Sequence, residues 1–336
     1  MTASRPTYAD IARRAGVGVA TVERVLNARG GVRPAMVEKV IAAARALDHP
    51  RRLPEAYRGL IRIEVLLVRP ETHFFARLSR AFERLAATLD RTVVVHRTFL
   101  DEHDPGAIAA RICAPGLRRA GLILAAPDHP RVRAAVDEAG VAGLPVVQIV
   151  NRITAAADYV GIDNYAAGRT AALLLAGMAR RAGRVVALCH SPIYQGHRDR
   201  IRGFSDYLAQ HPRTDLAYAH VFFGRDERTL SADLLARAFA LWPDLVGFYN
   251  AGGANGALCT WLRREPRGRA LFFVGHELTE ASAAALREGV MDFVLDQAPE
   301  AQAQRAIELM LARLGLLAPP AENRPIRFIT FSAENL

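Results

Sequence analysis

The sequence of 336 residues predicts an α/β body made of two doubly wound parallel sheets, preceded by a small all-α domain. From residue 61 onward, short apolar runs alternate with amphipathic stretches, which is typical of parallel strands connected by helices. Residues 1–60 instead show the spacings of three short helices. They also carry eleven Lys or Arg against five Asp or Glu, which is +6 of the formal net charge of +10.

The first predicted helix begins after Thr7, because Thr7 and Asp10 have the spacing of a capping box. Gly16 then supplies the left-handed residue that a tight turn between two helices needs. Apolar residues at three- and four-residue spacing continue on both sides of this turn and predict one small core. They are Ile11, Ala12, Ala15, Val17, Val22, Val25 and Leu26.

The second predicted helix has a polar outward face, because Thr21, Arg24 and Asn27 recur at three-residue intervals. A polar face with one cation, on a helix that packs across a shorter one, is typical of a helix-turn-helix that reads the DNA major groove. An ordinary three-helix cap is the alternative. The basic balance of residues 1–60 favours DNA, since it suits contact with phosphates.

A third helix is predicted from Pro34, which suits a first helical turn, to Leu47. The stretch Asp48–Leu60 is rich in Pro and Arg and is interpreted as a linker. The chain is therefore divided into a helix-turn-helix domain at residues 1–48, a linker at residues 49–60 and a body at residues 61–336.

The body contains about ten predicted strands, which fit two doubly wound lobes better than one sheet. We expect one lobe at residues 61–155 and 293–322, and the other at residues 158–290 and 324–336. Amphipathic helices such as Phe75–Leu89 and Asn164–Arg181 lie between the strands. The predicted strands are Ile61–Val68, Thr92–Val95, Gly121–Leu124, Pro145–Val150, Tyr159–Ile162, Val185–Leu188, Ala217–Val221, Leu245–Tyr249, Leu271–Val274, Phe293–Leu295 and Ile326–Phe331.

Aromatic and polar residues follow the carboxyl ends of these strands, where ligands bind in such folds. Aromatic rings cover the apolar face of a sugar, and carboxylate, guanidinium and amide groups bind its hydroxyls, so we expect a cleft for a sugar or polyol. One of the two phenylalanines could instead be core, and the arginine could belong to a solvated charge run. The candidate residues are Phe74, Phe75, Asp128, Arg198, Asn250, Glu277 and Gln297.

Asp163 and Asn164 also follow a predicted strand, and the favoured interpretation is that they cap the next helix. No P-loop, no GxGxxG after a strand, no GxSxG and no HExxH is present, so we predict no catalytic residue and no cofactor. The three cysteines, Cys113, Cys189 and Cys259, are widely spaced and are expected to be buried reduced thiols rather than metal ligands. Because the sequence has no 18-residue apolar run and no signal peptide, we expect a cytoplasmic protein without membrane contact.

The chain resembles the LacI/GalR family of bacterial transcription regulators over nearly its whole length. The resemblance of the head lies in "YADIARRAGVGVATVERVLN" and "VRPAMVEKVIAAARAL". The body is similar to periplasmic sugar-binding proteins in Phe74-Phe75, in Arg198 ahead of Gly203-Phe204, in "GFYNAGGANGAL" and in "VLDQAP".

This resemblance implies lobes like those of type I periplasmic binding proteins. It also implies a homodimer, or a higher oligomer, that binds double-stranded operator DNA and changes its affinity when a small sugar closes the lobes. The DNA-contacting residues that it implies are Thr7, Tyr8, Val19, Ala20, Thr21, Arg24 and Asn27.

The sequence departs from the family pattern at several positions. Gly18 and Glu23 stand where serine is usual, and Glu277 stands where the sugar-binding relatives have aspartate. Pro54 lies where the family has a hinge helix, and proline is unfavourable in a helix interior. The last two differences predict an altered effector and an altered hinge.

Two other classes share parts of this pattern. A solute-binding component of a transporter would have the same body but no DNA-binding head. A sugar-acting α/β enzyme could use Asp128 and Glu277 as an acid/base pair, although holding a ligand is the favoured role for them. The head favours the regulator over both alternatives.

Overall fold

The computed structural model of the protein describes residues 6–27, 29, 31–47, 49, 60–116, 118–318 and 322–336. The chain forms two compact units, Met1–Arg62 with Leu89–Val94, and Ile63–Thr88 with Val95–Leu336. Most of the predicted linker, including Pro54, lies outside the described residues.

The helices of the first unit are α1 (Tyr8–Ala15), α2 (Val19–Leu26) and α3 (Pro34–Ala46). The predicted capping box is confirmed, since the Thr7 amide donates to the Asp10 carboxylate over 2.8 Å and the Asp10 amide donates to the Thr7 hydroxyl over 3.3 Å. Gly16 ends α1 with φ of 66°, the left-handed conformation that the turn requires. The predicted apolar residues of α1 and α2 form one core with the buried side of α3, and Val17 packs against its edge.

The second unit contains two sheets. The first has the order β2-β1-β3-β4-β5 and the second the order β11-β10-β9-β8-β6-β7. The strands from β1 to β5 by way of β3 and β4, and those from β10 to β7 by way of β9, β8 and β6, pair in parallel, whereas β10 and β11 are antiparallel. The strands are β1 (Ile61–Val68), β2 (Val93–Leu100), β3 (Gly121–Leu124), β4 (Val146–Ile149), β5 (Asp158–Val160), β6 (Gly183–Cys189), β7 (Leu216–Phe223), β8 (Leu245–Asn250), β9 (Phe272–His276), β10 (Phe293–Asp296) and β11 (Ile329–Phe331).

Helices cover these sheets, and we call each sheet with its helices a lobe. The first lobe has α4 (His73–Ala86), α5 (Pro105–Cys113), α6 (Pro130–Val141) and α12 (Pro299–Arg313). The second lobe has α7 (Asn164–Met178), α8 (Gln195–Gln210), α9 (Arg228–Leu241), α10 (Asn255–Leu262) and α11 (Glu280–Arg287). The predicted doubly wound α/β architecture is therefore confirmed.

The predicted lobe boundaries need two corrections. The strand β5 pairs with β4 and belongs to the first sheet, whereas we expected the second lobe to begin at residue 158. The strand β10 pairs with β9 in the second sheet, although residues 293–322 were assigned to the first lobe; only α12 of that segment packs there. The chain thus crosses to the other lobe after β5 and after β10, rather than before them. The apolar pattern of a strand does not specify the sheet in which it lies.

The helices α7 and α8 pack closely against each other in the second lobe. A β-carbon added to Gly168 would lie 2.0 Å from the backbone oxygen of Arg200, and one added to Gly203 would lie 2.1 Å from that of Tyr165. Both distances are shorter than any real contact of this kind, so only glycine permits the approach. This contact fixes the position of the middle of α8.

Two of the three cysteines agree with the prediction of buried thiols. Cys189 and Cys259 are buried, and burial raises the pKa of each thiol to about 12. Cys113 is exposed at the end of α5, which corrects the prediction for it. Among the described residues no helix is both long and apolar enough to cross a lipid bilayer.

Candidate functional site

The candidate DNA-contacting residues lie at the start of α1 and on the outer side of α2. Arg24 is exposed, Thr21 and Asn27 are half-buried, and Val25 beside them is in the core. Among the apolar side chains, that of Val19 is 48 % exposed. The predicted residues are Thr7, Tyr8, Val19, Ala20, Thr21, Arg24 and Asn27. Their contact with DNA stays a prediction.

The electrostatics of α2 suit a phosphate backbone. Its amino end begins at Gly18, which provides no side-chain cap, so backbone amides and the helix dipole are available to an anion. The carboxylate of Glu23 lies 3.3 Å from the guanidinium of Arg29, which compensates its negative charge. Within the described part of the chain, Arg24 has no ion-pair partner, so its charge is available to a ligand.

A cavity of about 650 Å³ lies in the second unit. The residues that line it follow the carboxyl ends of strands from both sheets, as expected for doubly wound folds. Its wall combines aromatic rings, charged groups and amides, which is the composition of a site for a small polar molecule.

Four of the predicted effector-binding residues line this cavity: Phe74, Phe75, Glu277 and Gln297. The two phenylalanine rings are buried and meet edge to face, with centroids 5.3 Å apart. The amide of Gln297 donates to one carboxylate oxygen of Glu277. The other carboxylate oxygen is buried and has no partner among the described residues.

The predicted arginine, Arg198, is not among the described residues that line the cavity. Its guanidinium donates to the backbone oxygen of Pro192 and, over 2.8 Å, to Asp128. Arg200 lines the cavity instead and is only 4 % exposed. Because two residues are separated by about 200° around a helix, the two side chains leave α8 on nearly opposite sides.

Arg200 is held by fixed neighbours. Its Nε donates to the side chain of Asn164 and its Nη1 to the backbone oxygen of Ala251, both over 2.8 Å. Asn164 therefore positions this guanidinium, while Asp163 caps α7 as predicted. Sequence reasoning missed Arg200, although Gly196, Arg200 and Phe204 show the spacing of the buried face of α8.

Two further predicted residues do not line the cavity. Asp128 accepts hydrogen bonds from Arg133 and Arg198. Asn250 is fully buried and donates to the backbone oxygen of Gly253 over 2.6 Å and to the side chain of Asn255 over 2.7 Å. It thereby shapes the glycine-rich loop whose residues do line the cavity.

Charged residues that the sequence analysis did not select also line the cavity. Arg69 directly follows β1, Glu102 follows β2 and Asp226 follows β7. The rule that selected the other candidates, a position just past the carboxyl end of a strand, could have found all three. Among the described residues no group of three His, Cys, Asp or Glu side chains could hold a metal ion.

Backbone strain is concentrated at this cavity. Every non-glycine residue with positive φ in the described part of the chain either lines the cavity or directly follows a lining residue. Such conformations persist where the surrounding structure enforces them, which is common at binding sites. These residues are Arg69, Val150, Arg225, Asp226, Ala254, Glu277 and Ala298.

The carboxyl group of Glu277 is expected to make the protein less stable as the pH rises. Burial raises its pKa to about 8 and the charge of Asp296 acts in the same direction, against the hydrogen bond from Gln297. Because the folded pKa lies above the ordinary 4.5, the contribution to stability is complete below that value and is lost as the pH rises towards 8. Between about pH 5 and pH 8, we expect the melting temperature of the wild type to fall relative to that of Glu277→Gln.

Glu288→Gln is the matched control, because Glu288 lies at the surface beside Arg263, whose hydrogen bond lowers its pKa. Its melting temperature should keep a constant difference from the wild type above about pH 5. Parallel curves for Glu277→Gln and the wild type would show that Glu277 is ionised throughout this range.

Comparison with known proteins gives two family matches. Residues 63–315 match the periplasmic binding protein domain, and residues 7–51 match the bacterial regulatory proteins of the lacI family. A ribose operon repressor of Halalkalibacterium halodurans is 37 % identical over 97 residues. That alignment covers 27 % of this chain and 29 % of the relative, so it spans less than a third of either protein.

Solved structures show the same fold as the body. A periplasmic solute-binding protein of Actinobacillus succinogenes with bound D-allose has a TM-score of 0.71 at 18 % identity, over 82 % of this chain and 98 % of that one. A glucose-galactose binding protein of Geobacillus stearothermophilus has a TM-score of 0.72 at 16 % identity, over 83 % and 99 %. A solute-binding protein of Burkholderia graminis in complex with D-arabinose has a TM-score of 0.71 at 15 % identity, over 82 % and 96 %.

Proposed function

We propose that this chain, whose body belongs to the periplasmic binding protein domain family and whose head matches the lacI family of bacterial regulatory proteins, is a repressor whose affinity for operator DNA is changed by a sugar or polyol bound in the cavity. The observation that carries this proposal is the presence, in one chain, of a short helix that exposes Arg24 and of an aromatic and polar cavity at the strand ends. We assign the cavity residues to binding rather than to catalysis.

In the head, we assign Arg24 and Asn27 to base edges or nearby phosphates and Thr21 to a phosphate. Val19 and Ala20 are small and apolar, which suits contact with thymine methyl groups. Thr7 and Tyr8 at the start of α1 are assigned to the phosphate backbone. We further propose a homodimer, because two copies of one short recognition helix read a palindrome with half-sites about 34–36 Å apart.

In the body, we assign the effector to the space between Phe74, Phe75, Arg200, Glu277 and Gln297. An aromatic wall on one side and forked polar groups on the other fit a ring that is apolar on its face and carries hydroxyls at its edge. The names and bound sugars of the relatives support a monosaccharide. Coupling of about 1–3 kcal/mol between effector and operator, a typical value, would change operator occupancy several-fold.

The proposal is tested by titrating fluorescently labelled DNA from upstream of the gene with the purified full-length chain. We expect binding that a scrambled fragment of equal length does not reproduce and that weakens with salt. Arg24→Ala should weaken specific binding by about 1–3 kcal/mol because it removes a contact to a base edge or phosphate.

Arg184→Ala is the control for loss of one surface cation, since Arg184 pairs with Asp244 in the body over 2.7 Å. It should bind DNA as the wild type does. Equal affinity and equal salt dependence for Arg24→Ala and the wild type would contradict the assignment of α2 as the recognition helix. The absence of any preference among promoter fragments would reject the regulator itself.

A further inference from the structure

The guanidinium of Arg69 connects the two lobes through buried ion pairs. Arg69 follows β1 in the first lobe, and its Nη1 lies 2.9 Å from the carboxylate of Asp226, which follows β7 in the second lobe. Its Nε lies 3.1 Å from the carboxylate of Glu102 in its own lobe. The three side chains are 10 %, 10 % and 6 % exposed, respectively, so water screens these charges little. We call these three residues the Arg69 network.

Glu102 makes a second connection between the lobes. Its carboxylate accepts a hydrogen bond from the hydroxyl of Tyr194, which lies just before α8 in the second lobe. The Nε2 of His190, which directly follows β6, lies 3.4 Å from the same carboxylate, although without the geometry of a hydrogen bond. The first lobe therefore presents a cation and an anion, and the second lobe has a partner for each.

Asp226 depends on the opposite lobe for its charge partner. In the described part of the chain, Arg69 is the only cation that forms an ion pair with it, and the other hydrogen bond is donated by the backbone amide of Gly253 over 2.7 Å. If the lobes separated, this ion pair would have to break and its charged groups would be hydrated separately. In the closed cleft each charge compensates the other, so a variant that removes one partner leaves the other buried and unpaired, which is strongly unfavourable.

Both ends of the ion pair have a strained backbone. Arg69 has φ of 53° and Asp226 has φ of 56°, in the left-handed region that residues other than glycine seldom adopt. Nothing in the side chains of Arg or Asp requires this conformation. Conformations of this kind persist where the surrounding structure enforces them, and they are common in switching segments.

The carboxylates of this network are charged at neutral pH. Burial by itself would raise the pKa of Glu102, but His190, Tyr194 and Arg69 together lower it below its ordinary value. Burial by itself would also raise the pKa of Asp226. The pKa is nevertheless lowered, and the charge of Arg69 is the largest of the causes that lower it. The contact between the lobes is consequently an ionic one.

We propose that the Arg69 network is a latch that closes the effector cleft before the effector binds. The latch rests on the proposed function in one respect, namely that the effector acts at this cleft. A ligand changes an equilibrium only through its different affinity for the two states. With the latch intact, most molecules are already closed, and the strength of the latch sets both the apparent effector affinity and the size of the response.

The test measures the distance between the lobes without DNA or effector. Spin labels are placed at Val141→Cys, at the end of α6 in the first lobe, and at Leu241→Cys, at the end of α9 in the second lobe. Both positions are exposed, at 90 % and 52 %, and Cys113→Ser removes the exposed native thiol. Pulsed electron paramagnetic resonance of the full chain then gives the distribution of distances.

We expect one narrow distance in the labelled parent and a second population, of a third of the molecules or more, in Arg69→Leu. Asp226→Asn keeps the side-chain volume and should give the same second population, so it serves if Arg69→Leu fails to fold. Arg184→Leu, which removes an exposed ion pair inside the second lobe, should leave the distribution unchanged.

Two results would overturn the latch: a parent with two populations in the absence of effector, or an Asp226→Asn variant with the distribution of the parent. Because the measurement needs neither operator nor effector, either result leaves the DNA titration unaffected. A failure of the DNA titration, conversely, would not change these distances.

Discussion

Arg200→Ala is expected to weaken effector binding by about 2–3 kcal/mol, or roughly 30- to 150-fold. The guanidinium is buried in the cavity wall and oriented by Asn164 and Ala251, so it is already in position when a ligand arrives. Hydrogen bonds from a charged donor to a buried hydroxyl are among the strongest that a sugar can receive. The alanine variant loses them, and Asn164 loses its partner as well.

The measurement begins with a thermal-shift scan of monosaccharides and polyols on the wild type. The compound that raises the melting temperature most is then titrated calorimetrically against the variants. Arg202→Ala is the control from the same helix, because Arg202 is exposed and is not among the described residues that line the cavity. It should bind as the wild type does.

Arg198→Ala separates the two interpretations of α8. The sequence predicts contact between Arg198 and the effector, whereas Arg200 lines the cavity and Arg198 pairs with Asp128 across the lobes. We expect Arg200→Ala to lose clearly more affinity for the effector than Arg198→Ala loses. The reverse order, or no loss in Arg200→Ala, would remove Arg200 from the proposed binding site.

Gly168→Ala is expected to lower the free energy of unfolding by about 1–3 kcal/mol, which corresponds to roughly 2–10 °C in melting temperature. The added methyl group would lie 2.0 Å from the backbone oxygen of Arg200, and a backbone atom cannot move aside as the end of a flexible side chain can. The helices must therefore separate. Since Arg200 is on the displaced segment, effector affinity should fall too.

Gly177→Ala in the same helix is the matched control. Gly177 is exposed, and an added β-carbon would have no neighbour within 4 Å. Alanine should raise the stability slightly, by up to about 1 kcal/mol, because it restricts the unfolded chain and favours the helix. A stable Gly168→Ala protein with unchanged effector binding would contradict the close contact between α7 and α8.

The features that the sequence predicted well are those in which neighbouring residues act on each other. The capping box of Thr7 and Asp10 needs only one turn of helix, and Gly16 is needed because one backbone angle is positive. The alternation of apolar runs and amphipathic stretches likewise specifies parallel sheets from local periodicity. Four of the seven predicted effector residues line the cavity because a position after a strand is also a local property.

The features that the sequence did not predict depend on which segments meet. The apolar patterns predicted strands at β5 and β10, but the sheet in which each lies depends on its pairing, with β4 for β5 and with β9 for β10. Arg198 and Arg200 have the same chemistry and lie two residues apart, so only the packing of α8 against α7 shows which one faces the cavity.

Spacing within a few residues was thus enough to specify the helix-turn-helix head, the two doubly wound sheets and the strand ends at which a ligand would bind. The ion pair that joins the lobes, between Arg69 and Asp226, follows only from the folded arrangement, since 157 positions separate the two residues. Attraction between charges depends on their distance in space and on exclusion of water, and distance along the chain gives neither.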